Sequence, residues 1–331
     1  MRLPPAASTI VRAATALAAA VLSAGLLSAA APTTAAASVA APTTAAASVA
    51  VPTTAAAASA RPTLAPARLA RPSGVWARGG ELANALTGRR LWSRGLNVRR
   101  PMGSITKVMT ALVVIRAGDL ERKIRISDAV VRYGSRDDAS SAGLRAGDVL
   151  TARQLLEGML VPSGCDAAFA LATAYGPGWK TFVAKMNATA RQLGMTGTHF
   201  ANFDGLPWPT GDSTYSTPRD LVILGNEAMK SVTFRNIVRQ RAHWIGADAQ
   251  HHRYYWRTTN LLLGSYPGAV GIKTGSTPAS GYCLLFEARR NGRSLIGVVL
   301  NSSDTNPGIR FAAAARLLNW GFTIIHAPRP R

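Results

Sequence analysis

The chain has 331 residues, which is enough for two ordinary domains or for one large domain joined to an unstructured segment. Its 38 Lys and Arg residues outweigh 16 Asp and Glu, and the formal net charge of +22 favours residence near an anionic polymer or surface. Two Cys exclude a disulfide scaffold, and five His without metal-binding spacing disfavour a catalytic metal, so we expect no metal and no cofactor.

The first 31 residues have the composition of an export signal. Arg2 and Arg12 are the only charges before an apolar run at 13–31, and small residues at 28–31 suit a signal-peptidase site. The run is at the lower limit for a membrane span, so an uncleaved anchor is the alternative. Because no Cys lies near the cleavage region, a lipoprotein is excluded. The pattern predicts a signal peptide at 1–31 and a protein that works outside the cytoplasm.

Residues 32–70 form a repetitive segment rich in Ala, Thr and Pro. The ten residues APTTAAASVA at 31–40 recur at 41–50, followed by a degenerate copy from Val51. Such a segment has no large apolar side chains with which to build a core, and a Pro every ten residues interrupts any helix. We therefore expect a disordered linker at 32–70 and a folded region at 71–331.

The folded region changes from strand patterns to helix patterns and back to strand patterns. Short strands are predicted at 75–85 and 90–92, and the apolar residues after Ser104 predict a helix that is buried on all sides. A strand at 268–275 is followed by two apolar strands that flank Asn291-Gly292, a strong hairpin signal. This order predicts an α+β fold in which a helical cluster is inserted into an antiparallel sheet. The remaining predicted elements are helices at 151–160, 167–175, 179–194 and 311–322 and the hairpin strands at 282–288 and 295–300.

The first chemical motif is Ser104-Ile-Thr-Lys107. Positions i and i+3 lie on one face of a helix, so the Ser hydroxyl and the Lys amine can be hydrogen-bonded neighbours. A Ser hydroxyl is a poor nucleophile unless a base removes its proton, and Lys can do so only as the neutral amine. An apolar surrounding helix and a second nearby cation would both favour the neutral amine. By itself this motif occurs by chance in most proteins.

Two further motifs follow at informative distances. Ser163-Gly-Cys165 comes 59 residues after Ser104, at a predicted break between two helices. Lys273-Thr-Gly275 comes 169 residues after Ser104, on a predicted strand directly before the hairpin. The combination of S-x-x-K, a Ser-containing second motif and K-T-G is typical of penicillin-binding proteins and class A β-lactamases. Order, spacing and structural context agree, so joint chance occurrence is remote.

The folded region resembles the low-molecular-mass penicillin-binding proteins, the serine D-Ala-D-Ala carboxypeptidases of peptidase family S11. The resemblance implies a β-lactamase/transpeptidase-like fold and an enzyme acting on peptidoglycan stem peptides that end in D-Ala-D-Ala. It also implies covalent inhibition by β-lactams and a location at the cell wall. It is carried by the segments 101–110 (PMGSITKVMT), 155–168 (LLEGMLVPSGCDAA), 186–194 (MNATARQLG), 204–207 (DGLP), 270–275 (VGIKTG) and 317–322 (LLNWGF).

The resemblance implies a role for each motif residue. Ser104 would form the acyl-enzyme and Lys107 would accept its proton. Ser163 would relay a proton to the departing D-Ala nitrogen, and Lys273 would supply a fixed positive charge that keeps Lys107 neutral.

The same resemblance implies a set of substrate-binding groups. Thr274 and Arg310 are candidates to bind the terminal carboxylate, for which a guanidinium fork is well suited. The alternative for Arg310 is an exposed Arg at the start of a helix. Gly275 belongs to the same strand, and the backbone N–H groups of Ser104 and Ser276 would form the oxyanion hole.

Cys165 departs from the family pattern, because the second motif normally ends in Asn. A thiol is a weak hydrogen-bond donor, so the contact of this motif with substrate is in doubt. Cys165 is read either as a small buried hydrophobe or, in an exported protein, as one half of a disulfide with Cys283. A third interpretation, in which Cys165 is the nucleophile, is less favoured than these two.

Three alternative functions stay open. A DD-transpeptidase would use an amine in place of water as the acceptor of the acyl group. A class A β-lactamase needs a Glu between the second and third motifs, and the only Glu there is Glu227, in a helix read as peripheral. A non-catalytic wall-binding module is favoured only by Cys165.

The remaining features have simpler interpretations. His251-His252 lacks a third metal ligand and is read as a polar loop before a strand. Export makes nucleic acid a poor partner, and the basic charge is attributed to anionic cell-wall polymers. Because the match ends near Phe322, we expect no C-terminal β domain or amphipathic anchor of the kind that many relatives carry.

Overall fold

The computed structural model describes residues 70–137 and 139–326. The predicted signal peptide at 1–31 and all but the last residue of the predicted linker lie outside the described residues. Among the described residues, no helix is both long and apolar enough to cross a membrane.

The described residues form eleven strands, of which five build the main sheet. Three two-stranded ribbons account for the others. In chain order the strands are β1 Gly79–Asn84, β2 Arg90–Arg94, β3 Arg100–Pro101, β4 Lys123–Arg125, β5 Val149–Thr151, β6 Tyr215–Ser216, β7 Ala242–Ile245, β8 Tyr254–Arg257, β9 Ala269–Thr277, β10 Gly281–Arg290 and β11 Arg293–Leu300.

The same part of the chain forms one 3₁₀ helix, Gly103–Thr106, and nine α-helices. Most of them lie between β3 and β9, as the predicted insertion of a helical cluster requires. They are α1 Lys107–Ala117, α2 Asp128–Gly134, α3 Ala152–Leu160, α4 Cys165–Tyr175, α5 Trp179–Gln192, α6 Pro218–Ala228, α7 Val232–Val238, α8 Leu262–Ser265 and α9 Gly308–His326.

The main sheet is antiparallel and has the order β2-β1-β11-β10-β9. Both of its faces are covered, which explains why the hairpin strands read as continuous apolar runs. Along β10, Leu284 and Phe286 pack on the side of α9, whereas Leu285 packs on the side of the helical cluster. The predicted α+β class and the Asn291-Gly292 hairpin are therefore confirmed.

Several predicted boundaries differ from the structure, among them both ends of the helix predicted at 311–322, which is Gly308–His326, and two of the differences have an identifiable reason. The strand predicted at 75–85 starts only at Gly79, because Gly79 pairs with Leu300, the last residue of β11, and earlier residues have no strand partner. The helix predicted from Ser104 begins as the 3₁₀ helix, and α-helical geometry starts at Lys107.

Helix α1 runs through the centre of the helical cluster. Its residues from Lys107 to Val114 are all buried, as its lack of a polar face predicts. It contacts α3, α4, α5, α6 and α7. The first residues of α1 are consequently held by packing on every side, which fixes the position of the motif at its start.

Glu157 on α3 is a buried carboxyl group that should make stability depend on pH. Its Oε2 lies 2.8 Å from Nε2 of His243 on β7. Burial raises the pKa of Glu157 from 4.5 to about 7. Because the folded chain keeps this proton to a higher pH than the unfolded chain, the free energy of unfolding should fall as pH rises from 4.5 to about 7.

The measurement is the thermal unfolding midpoint of wild type and Glu157→Gln across this pH range. Burial lowers the pKa of His243, which acts on stability in the opposite sense. Because His243 contacts Glu157, the difference between the two proteins reports the loss of the carboxyl group together with its effect on this partner. We expect the variant to gain stability relative to wild type as pH rises. A constant difference at all pH values would contradict this prediction.

Candidate active site

Ser104 and Lys107 lie at the junction between the 3₁₀ helix and α1. Side chains at i and i+3 eclipse one another in a 3₁₀ helix, more closely than in an α-helix. Lys107 Nζ is 2.8 Å from Ser104 Oγ. The amine is fully buried, whereas Ser104 is partly exposed. The sequence motif therefore becomes a Ser hydroxyl that a substrate can reach, with a buried amine behind it.

Lys107 has two more partners, which come from different parts of the chain. Its Nζ lies 3.3 Å from Cys165 Sγ and 3.2 Å from the backbone oxygen of Asp204. The amine is thus surrounded by one hydroxyl, one thiol and one carbonyl.

The second motif forms the tight turn between α3 and α4, at the predicted helix break. Ser163 is buried and has a φ of 72°, in the left-handed region that is uncommon for a residue with a side chain. The turn is held by the bond from the Cys165 N–H to the Ser140 carbonyl, at 2.7 Å. This strained backbone directs the Ser163 hydroxyl towards the third motif, where it accepts a hydrogen bond from Lys273 at 2.9 Å.

Lys273 occupies the middle of β9 and is almost fully buried. Its Nζ contacts Ser163 Oγ at 2.9 Å, the Thr274 carbonyl at 3.0 Å and Thr274 Oγ1 at 3.5 Å. Burial, reinforced by the nearby charges of Lys107 and Arg310, holds the pKa of Lys273 well below its ordinary value. Protonation of both buried amines at once is therefore disfavoured.

Strand β9 and the nucleophile turn touch through glycines. A Cβ on Gly275 would lie 2.1 Å from the Met102 carbonyl oxygen, so no larger residue fits there. A Cβ on Gly103 would lie 2.7 Å from the backbone nitrogen of Ser276. The backbone N–H groups of Ser104 and Ser276, predicted to form the oxyanion hole, thus belong to two segments in direct contact.

Thr274 and Arg310 lie near the same strand. Thr274 Oγ1 is 2.7 Å from Thr259 Oγ1, and Arg310 Nη1 donates to the Gly275 carbonyl at 3.3 Å. Arg310 is only 8% exposed, so the alternative of an exposed Arg is wrong. Its Nε is buried without a partner in the described residues. A buried guanidinium with unused donors is suited to an anionic group.

The hypothesis of a disulfide between Cys165 and Cys283 is wrong, because both Cys are free and buried. Cys165 Sγ contacts Lys107, whereas Cys283 Sγ lies on β10, 3.4 Å from the Ser280 carbonyl. The two thiols therefore have separate partners. Burial raises the pKa of each thiol to about 11, which disfavours the thiolate form that a Cys nucleophile needs.

Sequence reasoning missed a group of buried polar residues behind Lys107. Asp204 Oδ2 accepts a hydrogen bond from Tyr133 Oη at 2.9 Å, and Tyr133 Oη accepts one from Trp208 Nε1 at 3.0 Å. Burial raises the pKa of the fully buried Asp204 carboxyl, although Lys107 opposes the shift. The segment 204–207 carries part of the family resemblance, and it is the sequence signal that could have pointed to Asp204 as a residue of the site.

Comparison with known proteins identifies the family. The family model described as D-alanyl-D-alanine carboxypeptidase, peptidase S11, matches residues 71–304. The chain belongs to this family. The predicted resemblance is thereby confirmed, as is the fold, which the structures of relatives share.

Similar members of the family come from several bacteria. The chain is 42% identical over 260 residues to the D-alanyl-D-alanine carboxypeptidase of Streptomyces sp. (strain K15), covering 75% of this chain and 88% of that protein. It is 35% identical over 244 residues to DacB2 of Mycobacterium tuberculosis, covering 73% of this chain and 81% of that protein. The crystal structure of the Streptomyces K15 DD-transpeptidase matches with 42% identity and a TM-score of 0.71, covering 75% of this chain and 98% of that one.

Glu227 lies away from the residues that this DD-carboxypeptidase chain brings together. Its carboxylate pairs with Arg116, near the end of α1, at 2.8 Å and with Lys230 at 2.6 Å. Arg116 is nine residues beyond Lys107, about 13 Å along a helix axis. The predicted peripheral position is confirmed. Among the described residues, no three His, Cys, Asp or Glu side chains are grouped so as to hold a metal.

Proposed function

We propose that this chain is an exported serine DD-peptidase that removes the terminal D-Ala from peptidoglycan stem peptides through an acyl-enzyme on Ser104. The observation that carries the proposal is the 2.8 Å contact between Ser104 Oγ and the buried amine of Lys107. The Ser163–Lys273 pair beside it completes a nucleophile, a base and a proton relay.

The partners of the two amines support opposite protonation states. A neutral amine has two N–H donors and one lone pair. At Lys107 the donors match the Asp204 carbonyl and the Cys165 thiol, which leaves the lone pair for the Ser104 hydroxyl. At Lys273 all three partners are oxygen acceptors, a pattern that suits the three donors of an ammonium. From these partners we assign Lys107 the role of base and Lys273 that of fixed charge. The lowered pKa of Lys273 opposes this assignment, and an anionic substrate group bound on the β9 side would offset that shift.

The proton removed from Ser104 must reach the nitrogen of the departing D-Ala. Lys107 takes this proton as the hydroxyl oxygen attacks the peptide carbonyl. Ser163, hydrogen-bonded to Lys273, is assigned the relay: its hydroxyl proton goes to the leaving nitrogen, and the proton held by Lys107 replaces it. The N–H groups of Ser104 and Ser276 stabilise the oxyanion that forms in between.

The terminal carboxylate of the substrate is assigned to the β9 side of the site. Lys273, Thr274 and Arg310 all lie there, and the unpartnered Nε of Arg310 leaves a donor available. Gly275 keeps the strand close enough to the nucleophile turn for one dipeptide to reach both.

The carboxypeptidase and the transpeptidase alternatives differ in the molecule that accepts the acyl group, which is water in the first and an amine in the second. One similar solved structure bears the name DD-transpeptidase, which favours the second candidate function. Product analysis with diacyl-L-Lys-D-Ala-D-Ala, with and without added glycine, decides between them. We expect free D-Ala and the shortened peptide in water alone. A glycine-exchanged peptide as the only product would instead establish transpeptidation.

Penicillin should acylate Ser104 and stay bound. No Glu side chain stands near the acyl group in the described residues between the second and third motifs, because Glu227 is on the surface pairing with Arg116 and Lys230. Without such a base to activate water, we expect the penicilloyl-enzyme to persist for far longer than the acylation step. Mass spectrometry of the intact protein over time gives its lifetime. Rapid turnover of penicillin would establish a β-lactamase instead.

A fluorescent penicillin also tests the binding-module alternative, since a protein without an active nucleophile would stay unlabelled. The predicted signal peptide and the charge of +22 support export and retention by anionic wall polymers. Retention of the protein on purified cell walls should then weaken with salt, because screening removes such attraction.

A further inference from the structure

A pocket of about 350 Å³ is linked to the candidate active site through Tyr133, which lines it and donates to the Asp204 carboxylate, the residue whose carbonyl accepts from Lys107. Its walls are aromatic, and two Arg stand at its rim. A shallower depression continues from it and shares Arg136 and Trp208. The pocket is lined by Ala129, Arg132, Tyr133, Arg136, Phe169, Trp179, Phe203 and Trp208.

Both walls are continuous with the catalytic groups. Residues 206–208 begin two positions after Asp204, whose carbonyl accepts a hydrogen bond from Lys107. Gly205 packs so tightly on the nucleophile turn that a Cβ there would lie 2.0 Å from the Gly103 carbonyl oxygen. On the other side, the loop after α2 leads to Ser140, whose carbonyl binds the Cys165 N–H. The segments that wall the pocket are therefore the ones that pack on the nucleophile turn and on the second motif.

The lining indicates what kind of group it would hold. Trp179 and Trp208 meet edge to face with centroids 5.1 Å apart, and Tyr133 stacks on Phe169 at 4.7 Å. The polar atoms of Tyr133 and Trp208 already bond to each other, and Tyr133 is buried between Phe169 and Arg136. The half-buried rings of Phe169, Trp179 and Trp208 therefore supply the accessible apolar surface. Aromatic faces of this kind suit an aliphatic chain.

The charged groups of the pocket are cationic. Arg132 and Arg136 are exposed, and the Arg136 guanidinium lies 4.4 Å from the centre of the Tyr133 ring. Neither Arg has an acidic partner among the ion pairs of the described residues. Asp137 lines only the adjoining depression. A carboxylate at the end of an aliphatic chain fits both features.

We propose that this pocket binds an anionic side chain of the stem-peptide residue that precedes D-Ala-D-Ala. The inference rests on the proposed function, in which the β9 side takes the terminal carboxylate. That assignment leaves the opposite wall for the acyl part of the substrate. The enzyme would then select stem peptides by the charge of that side chain.

The test compares two peptides that differ in one charge, acetyl-L-Lys-D-Ala-D-Ala with its side-chain amine either succinylated or butyrylated. We expect kcat/KM to be about tenfold higher for the succinylated peptide, as for a charge-assisted hydrogen bond, and the preference to shrink with salt. The double variant Arg132→Gln/Arg136→Gln should abolish the preference. Its activity on the butyrylated peptide and its labelling by penicillin should be unchanged.

Arg122→Gln is the matched control, because Arg122 also stacks on a tyrosine, 5.5 Å from the ring centre of Tyr175, but does not line the pocket. It should keep the full preference. Equal kcat/KM for the two peptides in wild type, or a preference that survives in the double variant, would overturn the inference.

Binding of both peptides to the Ser104→Ala variant, measured by calorimetry, gives a readout that does not need turnover. A tighter Kd for the succinylated peptide, lost on adding the two Gln substitutions, supports the pocket even if no D-Ala is released by wild type. Equal affinities would refute it. Failure of the proposed function is seen separately, as the absence of D-Ala release from every peptide.

Discussion

Replacing Lys107 with Arg should abolish covalent capture of penicillin and release of D-Ala, with a loss of at least about 10⁴-fold in the acylation rate. Arg keeps the positive charge and a long side chain, but its guanidinium does not give up its proton at any pH that the protein survives. Ser104 would then have no base. The measurement is the second-order rate constant for labelling by a fluorescent penicillin.

Because Lys107 is fully buried, the larger guanidinium could also disturb packing. Lys107→Met serves as the second variant, since it is close in size and removes the amine without adding volume. Lys230→Arg, on the surface, is the matched control and should label at the wild-type rate. If either Lys107 variant has the same thermal unfolding midpoint as wild type and is acylated by penicillin at the wild-type rate, Lys107 is not the base.

Ser163→Gly should lower kcat/KM for the peptide by about 10²- to 10⁴-fold, the usual contribution of a positioned proton-transfer group. Glycine is chosen because Ser163 has a φ of 72°, which glycine adopts without strain. The backbone of the turn should therefore persist while the hydroxyl bound to Lys273 is lost. Steady-state kinetics and the unfolding midpoint are measured together.

Asn291→Gly is the control for the backbone effect. Asn291 also has a positive φ, 49°, and lies in the turn between β10 and β11, far along the sheet from the motif residues on β9. Its replacement should leave kcat/KM unchanged. If the Ser163→Gly variant is folded and fully active, Ser163 is not on the proton path. Another group must then protonate the nitrogen of the departing D-Ala.

The motif residues were predictable from sequence because each reflects a local requirement. Ser104 and Lys107 are three apart on one helical face, and that spacing survives even though the turn is 3₁₀ rather than α. Asn291-Gly292 specifies a hairpin turn without reference to the rest of the chain. Glycine at 275 was part of a known motif, but the reason for it, contact with the Met102 carbonyl, appeared only in the structure.

Predictions that depended on distance in space were less successful. The sequence permitted a bond between Cys165 and Cys283, but packing gives the two thiols different partners. Arg310 was equally compatible with the surface and with the site, and only the packing of α9 against β10 buries it beside Gly275.

By itself the sequence determined the family, the reaction type and the order of the motifs, and it predicted the nucleophile, because these depend on residue identity and on short spacings along the chain. The tertiary structure decided that both amines are buried close to each other and which partners surround each of them. It also assembled the pocket from α2, α4, α5 and the 203–208 segment. No local pattern links those segments, so only the packing that buries their apolar faces brings Arg136 and Trp208 together.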